Sequence, residues 1–216
     1  MIKSLEKNLI VFNNNINDNN AYMLIEHGHC IVIDPSSYGQ TIENYINEHK
    51  LIFDGILLTH GHFDHIESAN ELMTKFKVNA YCHKSDEIVV NKYNCAEMMS
   101  NPNFKPLSDS YIYFNQKELK IKNFKLEVLF TPGHTAGSVC YHYQHYFFTG
   151  DTIFYDSVGR WDLPTGNQKQ LFDSIKKFMN VVKHDDLILP GHCQHYETYN
   201  NVEKANLYII HFKGAN

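Results

Sequence analysis

Two apolar runs, Ala21 to Glu26 and Cys30 to Asp34, are separated by His27-Gly28-His29, which is the pattern of a β-hairpin. The rhythm then changes: Ile42, Tyr45, Ile46 and His49 fall three and four apart and predict a helix. Phe53 to Thr59 contains the unbroken run Ile56-Leu57-Leu58, which predicts a buried strand. Ile66, Ala69, Leu72, Met73 and Phe76 return to helical spacing and predict one helical face. Lys84 to Tyr111 carries no clear period and predicts short helices and loop, and Asn13 to Asn20 is polar enough to read as loop or turn. In the second half, Leu126 to Phe130 predicts a strand, and Val139 to Tyr143 with Tyr146 to Thr149 a hairpin. Leu171, Ile175, Phe178, Met179 and Val182 mark a helix, Leu187 to Leu189 a short strand, and Val202 to Ile210 a terminal helix. Strands and helices alternate through both halves, which favours a layered α/β fold. No Gly-, Ser- or Pro-rich linker divides them, so one domain over residues 1–216 is expected.

Composition narrows the classes of function. The chain has 19 basic and 24 acidic residues, a net charge of −5 and no dense cluster of Lys or Arg. That charge pattern is not the footprint of a nucleic-acid or membrane-surface binder. No apolar run approaches the roughly 18 to 20 residues that span a bilayer, and no secretory leader pattern precedes the first strand. Five cysteines, an odd number with no C-x-x-C pair, support neither a disulfide framework nor a zinc ribbon. Buried thiols in a reducing compartment, and hence a cytoplasmic location, are the expectation.

The 14 histidines are the feature that changes the picture. Four predicted strands end alike. Thr59 is followed by His60-Gly61-His62-Phe63-Asp64-His65, and Phe130 by Thr131-Pro132-Gly133-His134. Phe148 is followed by Thr149-Gly150-Asp151, and Leu189 by Pro190-Gly191-His192. Ligands at strand ends can converge on one edge of a sheet, and His and Asp suit zinc, iron or manganese. A lone histidine there is ordinarily a satisfied bystander, Asp64 has an alternative as a helix cap, and Asp151 as a turn residue. The His-x-His-x-Asp-His cluster immediately after a strand has no comparable alternative. One tetrahedral ion uses four ligands at most, so His60, His62, Asp64, His65, His134, Asp151 and His192 suit two divalent ions. His60, His62 and His134 would hold the first, Asp64, His65 and His192 the second, with Asp151 bridging. Two such ions can acidify a water held between them and supply a nucleophile at neutral pH. His27, His29, His49, His83, His142, His145, His184, His195 and His211, and likewise Cys193, are given no part in the site.

Thr59-His60-Gly61-His62-Phe63-Asp64-His65, with the later His134, Asp151 and His192, resembles the signature of the metallo-β-lactamase superfamily, over essentially the whole chain. The resemblance implies a four-layer αββα sandwich, an α/β (α+β) fold, with a dinuclear site along one edge. Thr131 to Ser138, Gly150 to Phe154 and Gly159 to Pro164 resemble glyoxalase II (hydroxyacylglutathione hydrolase) and its short bacterial relatives. Asp151 sets the chain apart from true β-lactamases, which lack that carboxylate, and the short His65 to His134 interval leaves no space for a large inserted nuclease domain. Only 24 residues follow His192, so the C-terminal helical domain of the long glyoxalase II enzymes is not expected. Arg160, the sole arginine, matches a basic residue that helps those enzymes bind the thiol carrier. Asp162 stands where they have an aromatic contact. Arg160 would grip a substrate carboxylate or pair with Asp162 to brace the loop, and the substrate role is preferred.

The implied activity is hydrolysis of a thioester, with a 2-hydroxyacyl thioester such as S-lactoylglutathione foremost, by a metal-bridging hydroxide. Zinc is the first expectation for the metal, with iron or manganese as alternatives. Asp64 would be the catalytic residue, orienting the hydroxide or relaying its proton. The alternatives are an iron-dependent persulfide dioxygenase, a lactonase or other metallo-hydrolase, and a non-catalytic metal-binding scaffold. The expected partner is a small-molecule thioester, with no nucleic acid and no membrane; the oligomeric state stays open.

Overall fold

Successive residues of a strand point to opposite faces, and in this protein both faces of the central strands are covered. The computed structural model describes residues 1–13, 18–93, 111–193 and 196–214. Among them, a seven-stranded sheet runs in chain order through β1 (Ile2–Glu6), β2 (Leu9–Asn13), β3 (Asn20–Glu26), β4 (His29–Ile33), β5 (Ile52–Leu57), β6 (Ala80–His83) and β7 (Tyr111–Phe114). Pairing is antiparallel from β1 to β4 and parallel from β4 to β7. The other sheet contains β8 (Glu118–Ile121), β9 (Phe124–Phe130), β10 (Val139–Tyr143), β11 (Tyr146–Gly150), β12 (Leu187–Pro190) and β13 (Glu197–Thr198), side by side in that order. Only its β11–β12 pair is parallel.

The period of two sorts the side chains into three cores. In β4, Ile31 and Ile33 share a middle core with Tyr141 and Phe148 of the other sheet. Cys30 and Val32 face the opposite way and pack with Ile42 and Ile46 of α1 (Gly39–Glu48) and Leu72 and Met73 of α3 (Ala69–Phe76). In β11, Tyr146 and Phe148 join the middle core, whereas Phe147 packs with Ile175 and Phe178 of α4 (Gln168–Met179). Val202 of α5 (Tyr199–Ala205) and Ile209 of α6 (Leu207–Gly214) lie in that same outer core. The result is the four-layer αββα sandwich.

The helical face expected over Ile66 to Phe76 is two helices, α2 (Phe63–Ile66) and α3. The loop after β4 separates them: Ser36 N donates to His65 O, and Ser68 N donates to Ser36 O. The terminal helix divides at Asn206, whose Oδ1 accepts from the Tyr208 and Ile209 N–H groups and caps α6. Strands β1, β2, β6, β7 and β8 are additions to the pattern. Each has only four or five residues, too few for a period to declare itself. Residues 94–110, including Cys95, and His195 lie outside the described residues. Among the described residues no helix is long and apolar enough to cross a membrane, and Cys30, Cys82, Cys140 and Cys193 are free thiols.

Candidate metal centre

The four stretches that carry the candidate His and Asp ligands follow strands of different sheets: β5 belongs to one, and β9, β11 and β12 to the other. Their ends meet at one rim of the sandwich. The ligand atoms of His60, His62 and His134 lie within 4.8 Å of one another, as do those of Asp64, His65 and His192. Asp151 stands between these trios. Its Oδ2 is 3.4 Å from His134 Nε2 and 3.4 Å from His192 Nε2, and its Oδ1 is 3.4 Å from His65 Nε2. All seven residues singled out by sequence are therefore brought together. Two glycines allow this crowding. A Cβ on Gly159 would lie 1.9 Å from Asp151 O, and one on Gly191 would lie 2.4 Å from Asp151 Oδ1.

Hydrogen bonds on the far side of three imidazoles decide which nitrogen faces the centre. The Thr59 hydroxyl donates to Asp34 Oδ2 at 2.6 Å, so its oxygen accepts from His60 Nδ1 at 3.1 Å. His65 Nδ1 donates to the same Asp34 oxygen at 3.0 Å, and His134 Nδ1 donates to Arg160 O at 2.7 Å. Each Nε2 is thereby turned inward. His60 Nε2, His65 Nε2 and Asp151 Oδ1 are buried with no hydrogen-bond partner in the protein. Buried polar atoms are rarely left so, and three of them within this cluster fit a cation-binding centre. Asp34, His60 and His65 also form a compact trio. However, both Asp34 oxygens are engaged, Oδ1 by Thr59 N at 2.8 Å, so Asp34 acts as an orienting residue. It ends the apolar run of β4 as the other site residues end theirs, which is the signal that could have found it.

Asp64 is not a helix cap. The N-cap position of α2 is His62, and Asp64 lies in the first turn with its Oδ2 accepting from Asn19 Nδ2 at 3.0 Å. Arg160 is exposed, and its guanidinium takes Asp162 bidentately, with Nε to Oδ1 at 2.8 Å and Nη2 to Oδ2 at 2.9 Å. Its main-chain carbonyl, not its side chain, reaches the centre. Several other histidines pair away from the cluster: His29 with Asp54, His142 with Glu127, His145 with Glu6 and His184 with Glu203.

Asp86 joins the two loops that carry the first trio. Fully buried, it accepts from Gly61 N at 2.7 Å, Thr135 Oγ1 at 2.7 Å and Gly137 N at 2.6 Å. Asp86→Ala removes the carboxylate that Gly61 N, Gly137 N and the Thr135 hydroxyl share, at about 1–3 kcal/mol for each buried group affected. Urea unfolding is expected to show a loss of about 3 kcal/mol. A loss below about 1 kcal/mol would contradict that role.

Charge divides the centre into unlike halves. Burial and the neighbouring imidazoles His65, His134 and His62 hold His60 well below its ordinary value, and burial with His134 lowers His62 to about 3. On the other side burial again pushes down, but Asp64 and Asp151 outweigh it and raise His65 to about 9. Asp151 and Asp64 likewise overcome burial at His192, which rises to about 11. Burial alone would raise Asp64 and Asp151, yet the adjacent His65 and His192 hold both below the usual carboxylate range.

In ion-free protein these shifts predict a stability maximum. Below pH about 6.5 the unfolded chain takes protons at His60 and His62 that the native state refuses, so stability falls with falling pH. Above it the native state keeps protons on His65 and His192 that the unfolded chain has lost. Stability then falls as pH rises through about 9 towards about 11. Thermal melting of chelator-treated protein should peak near pH ~6.5. A steady rise from pH ~6 to ~9 would contradict the charge arrangement.

A family model described as "Metallo-beta-lactamase superfamily" matches residues 15–192. The probable metallo-hydrolase YqgX of Bacillus subtilis is 36% identical over 177 residues, covering 80% of this chain and 84% of the relative. The hydroxyacylglutathione hydrolase GloC of Haemophilus influenzae is 30% identical over 187 residues, covering 82% of this chain and 86% of the relative. Among solved structures, the BLEG-1 B3 metallo-beta-lactamase superposes with a TM-score of 0.82 at 26% identity, covering 93% of this chain and 99% of that one.

Proposed function

From the premise that the chain belongs to the metallo-beta-lactamase superfamily, a family of metal-binding hydrolases, we propose that it hydrolyses a thioester, with a 2-hydroxyacyl thioester such as S-lactoylglutathione as the first candidate. The observation that carries the reading is Asp151, with oxygens on members of both trios. In this reading His60, His62 and His134 would hold one divalent ion and Asp64, His65 and His192 a second, with Asp151 placed to serve both. Zinc is the first choice for both, with iron or manganese possible from the same donors.

Bound there, the ions would supply an acidified water and a Lewis acid for the carbonyl oxygen. The chain's own residues do the rest. Asp34 and Thr59 hold His65 and His60 in the tautomers that present Nε2. Asp64, held through Oδ2, would orient the attacking hydroxide or relay its proton. A thiolate is a good leaving group, so no strong protein acid is required, nor any Ser or Cys nucleophile. Arg160 braces the loop over His134 through Asp162, and a carboxylate on the thiol carrier would compete for the same guanidinium fork.

The test is the hydrolysis of S-D-lactoylglutathione by protein with verified metal content, followed by the loss of the thioester absorbance. Turnover of this or another 2-hydroxyacyl thioester supports the reading. Metal-loaded protein that leaves such thioesters intact, yet consumes oxygen with glutathione persulfide or opens a lactone, overturns it.

A further inference from the structure

The polar stretch that opens β3 borders the centre. Its main chain runs against the strand end carrying His192: Asn19 and His192 form an antiparallel bridge. Asn20 N donates to Gly191 O at 2.8 Å, and Cys193 N donates to Asp18 O at 3.2 Å. The Asn20 side chain reinforces this contact, donating to Pro190 O at 3.0 Å and Cys193 O at 2.6 Å. Asn20 therefore grips the chain on both sides of His192. Asn19, only 3% exposed, reaches elsewhere. Its Nδ2 donates to Asp64 Oδ2 at 3.0 Å, while its main-chain carbonyl accepts from the Tyr38 hydroxyl at 2.9 Å. That same Asp64 oxygen lies 3.3 Å from His192 Nε2 and 3.7 Å from His65 Nε2. One buried asparagine thus touches His192 with its backbone and Asp64 with its side chain.

We infer that Asn19 is a positioning residue for the second ion, locking Asp64 Oδ2 in register with His65 and His192; this rests on the two-ion reading above. Asp64 needs such a lock. It sits on a four-residue helix, and its side chain is 46% exposed, against 1% for His65. Packing alone does not fix its rotamer. The Asn19 amide takes one lone pair of Oδ2 and leaves another facing the histidines, and the bridge to His192 keeps Asn19 itself in place. Among the described residues no hydrogen bond joins the Asn19 side chain to His60, His62 or His134, so the effect should be confined to one ion.

Zinc titration of the full-length protein against a competing chelator tests this. Wild type should bind two ions. Asn19→Ala should weaken one by about 10–100-fold, the usual cost of losing an outer partner, and leave the other within about twofold. Asn19→Ser, small, polar and too short to reach Asp64, should do the same and provides a second chance of a well-folded variant. In an Asp64→Asn background, Asn19→Ala should add nothing, because the two act on the same ion. Cobalt substitution should show a changed spectrum for the weakened ion only. Unchanged affinities in both variants, or equal weakening of both ions, would overturn the inference and leave the two-ion reading standing. A wild type that binds a single ion would overturn both.

Discussion

Removal of divalent ions by a chelator should abolish hydrolysis, and returning zinc to the stripped protein should restore it. The expected loss is about 10³-fold or more, since a metal Lewis acid contributes several kcal/mol to the transition state and each ~1.4 kcal/mol is a factor of ten. Nothing else in the centre can take over that role. At neutral pH the ion-free centre answers its two carboxylates with protons on His65 and His192, raised to about 9 and about 11, while His62, lowered to about 3, stays neutral. Those protons balance charge but leave the inward nitrogens without an electrophile between them. The measurement is turnover alongside elemental analysis of the same sample. More than about a tenth of the activity surviving in protein shown to be free of metal would refute a metal-dependent reaction.

The second large effect should come from single ligand changes. His62→Ala opens the three-imidazole trio, and Asp64→Asn exchanges an anionic donor for a neutral one in the other. Each should lower kcat/KM by about 10³-fold, with bound metal falling towards one ion per chain. Circular dichroism and the denaturation midpoint should change little, because the αββα cores lie beneath the rim and contain neither side chain. Asp64→Asn should act chiefly on kcat, since the proposal gives it a role in the reaction as well as in binding. Full activity in either variant, with its metal content verified, would contradict the ligand assignment.

Much of the fold was legible because burial on both faces leaves a strong trace. Cys30 to Ile33 of β4 and Ile56 to Leu58 at the end of β5 are unbroken apolar runs, and α4 repeats its apolar residues at helical intervals. Helix breaks left no such trace. The gap between α2 and α3 depends on Ser36 hydrogen bonds contributed from another segment, and the division at Asn206 depends on a side chain whose Nδ2 also holds Phe154 O and Ser157 O. At the centre, the candidate ligands announced themselves by spacing, whereas their supports did not. Asp34 was marked only by its place at the end of the β4 run, and Asp86 and Asn19 by nothing. Each matters through a partner 25, 49 or 45 residues away: Thr59, Thr135 and Asp64.

By itself, the sequence determined which side chains could bind a cation and that each follows a strand, because short-range order is written in local spacing. Only the tertiary structure decided that those strands belong to two sheets, that Asp151 stands between the trios, and that the Arg160 carbonyl turns His134 inward. These are relations between segments distant along the chain. They arise when the middle core closes and brings one rim of each sheet together, and no local period records them.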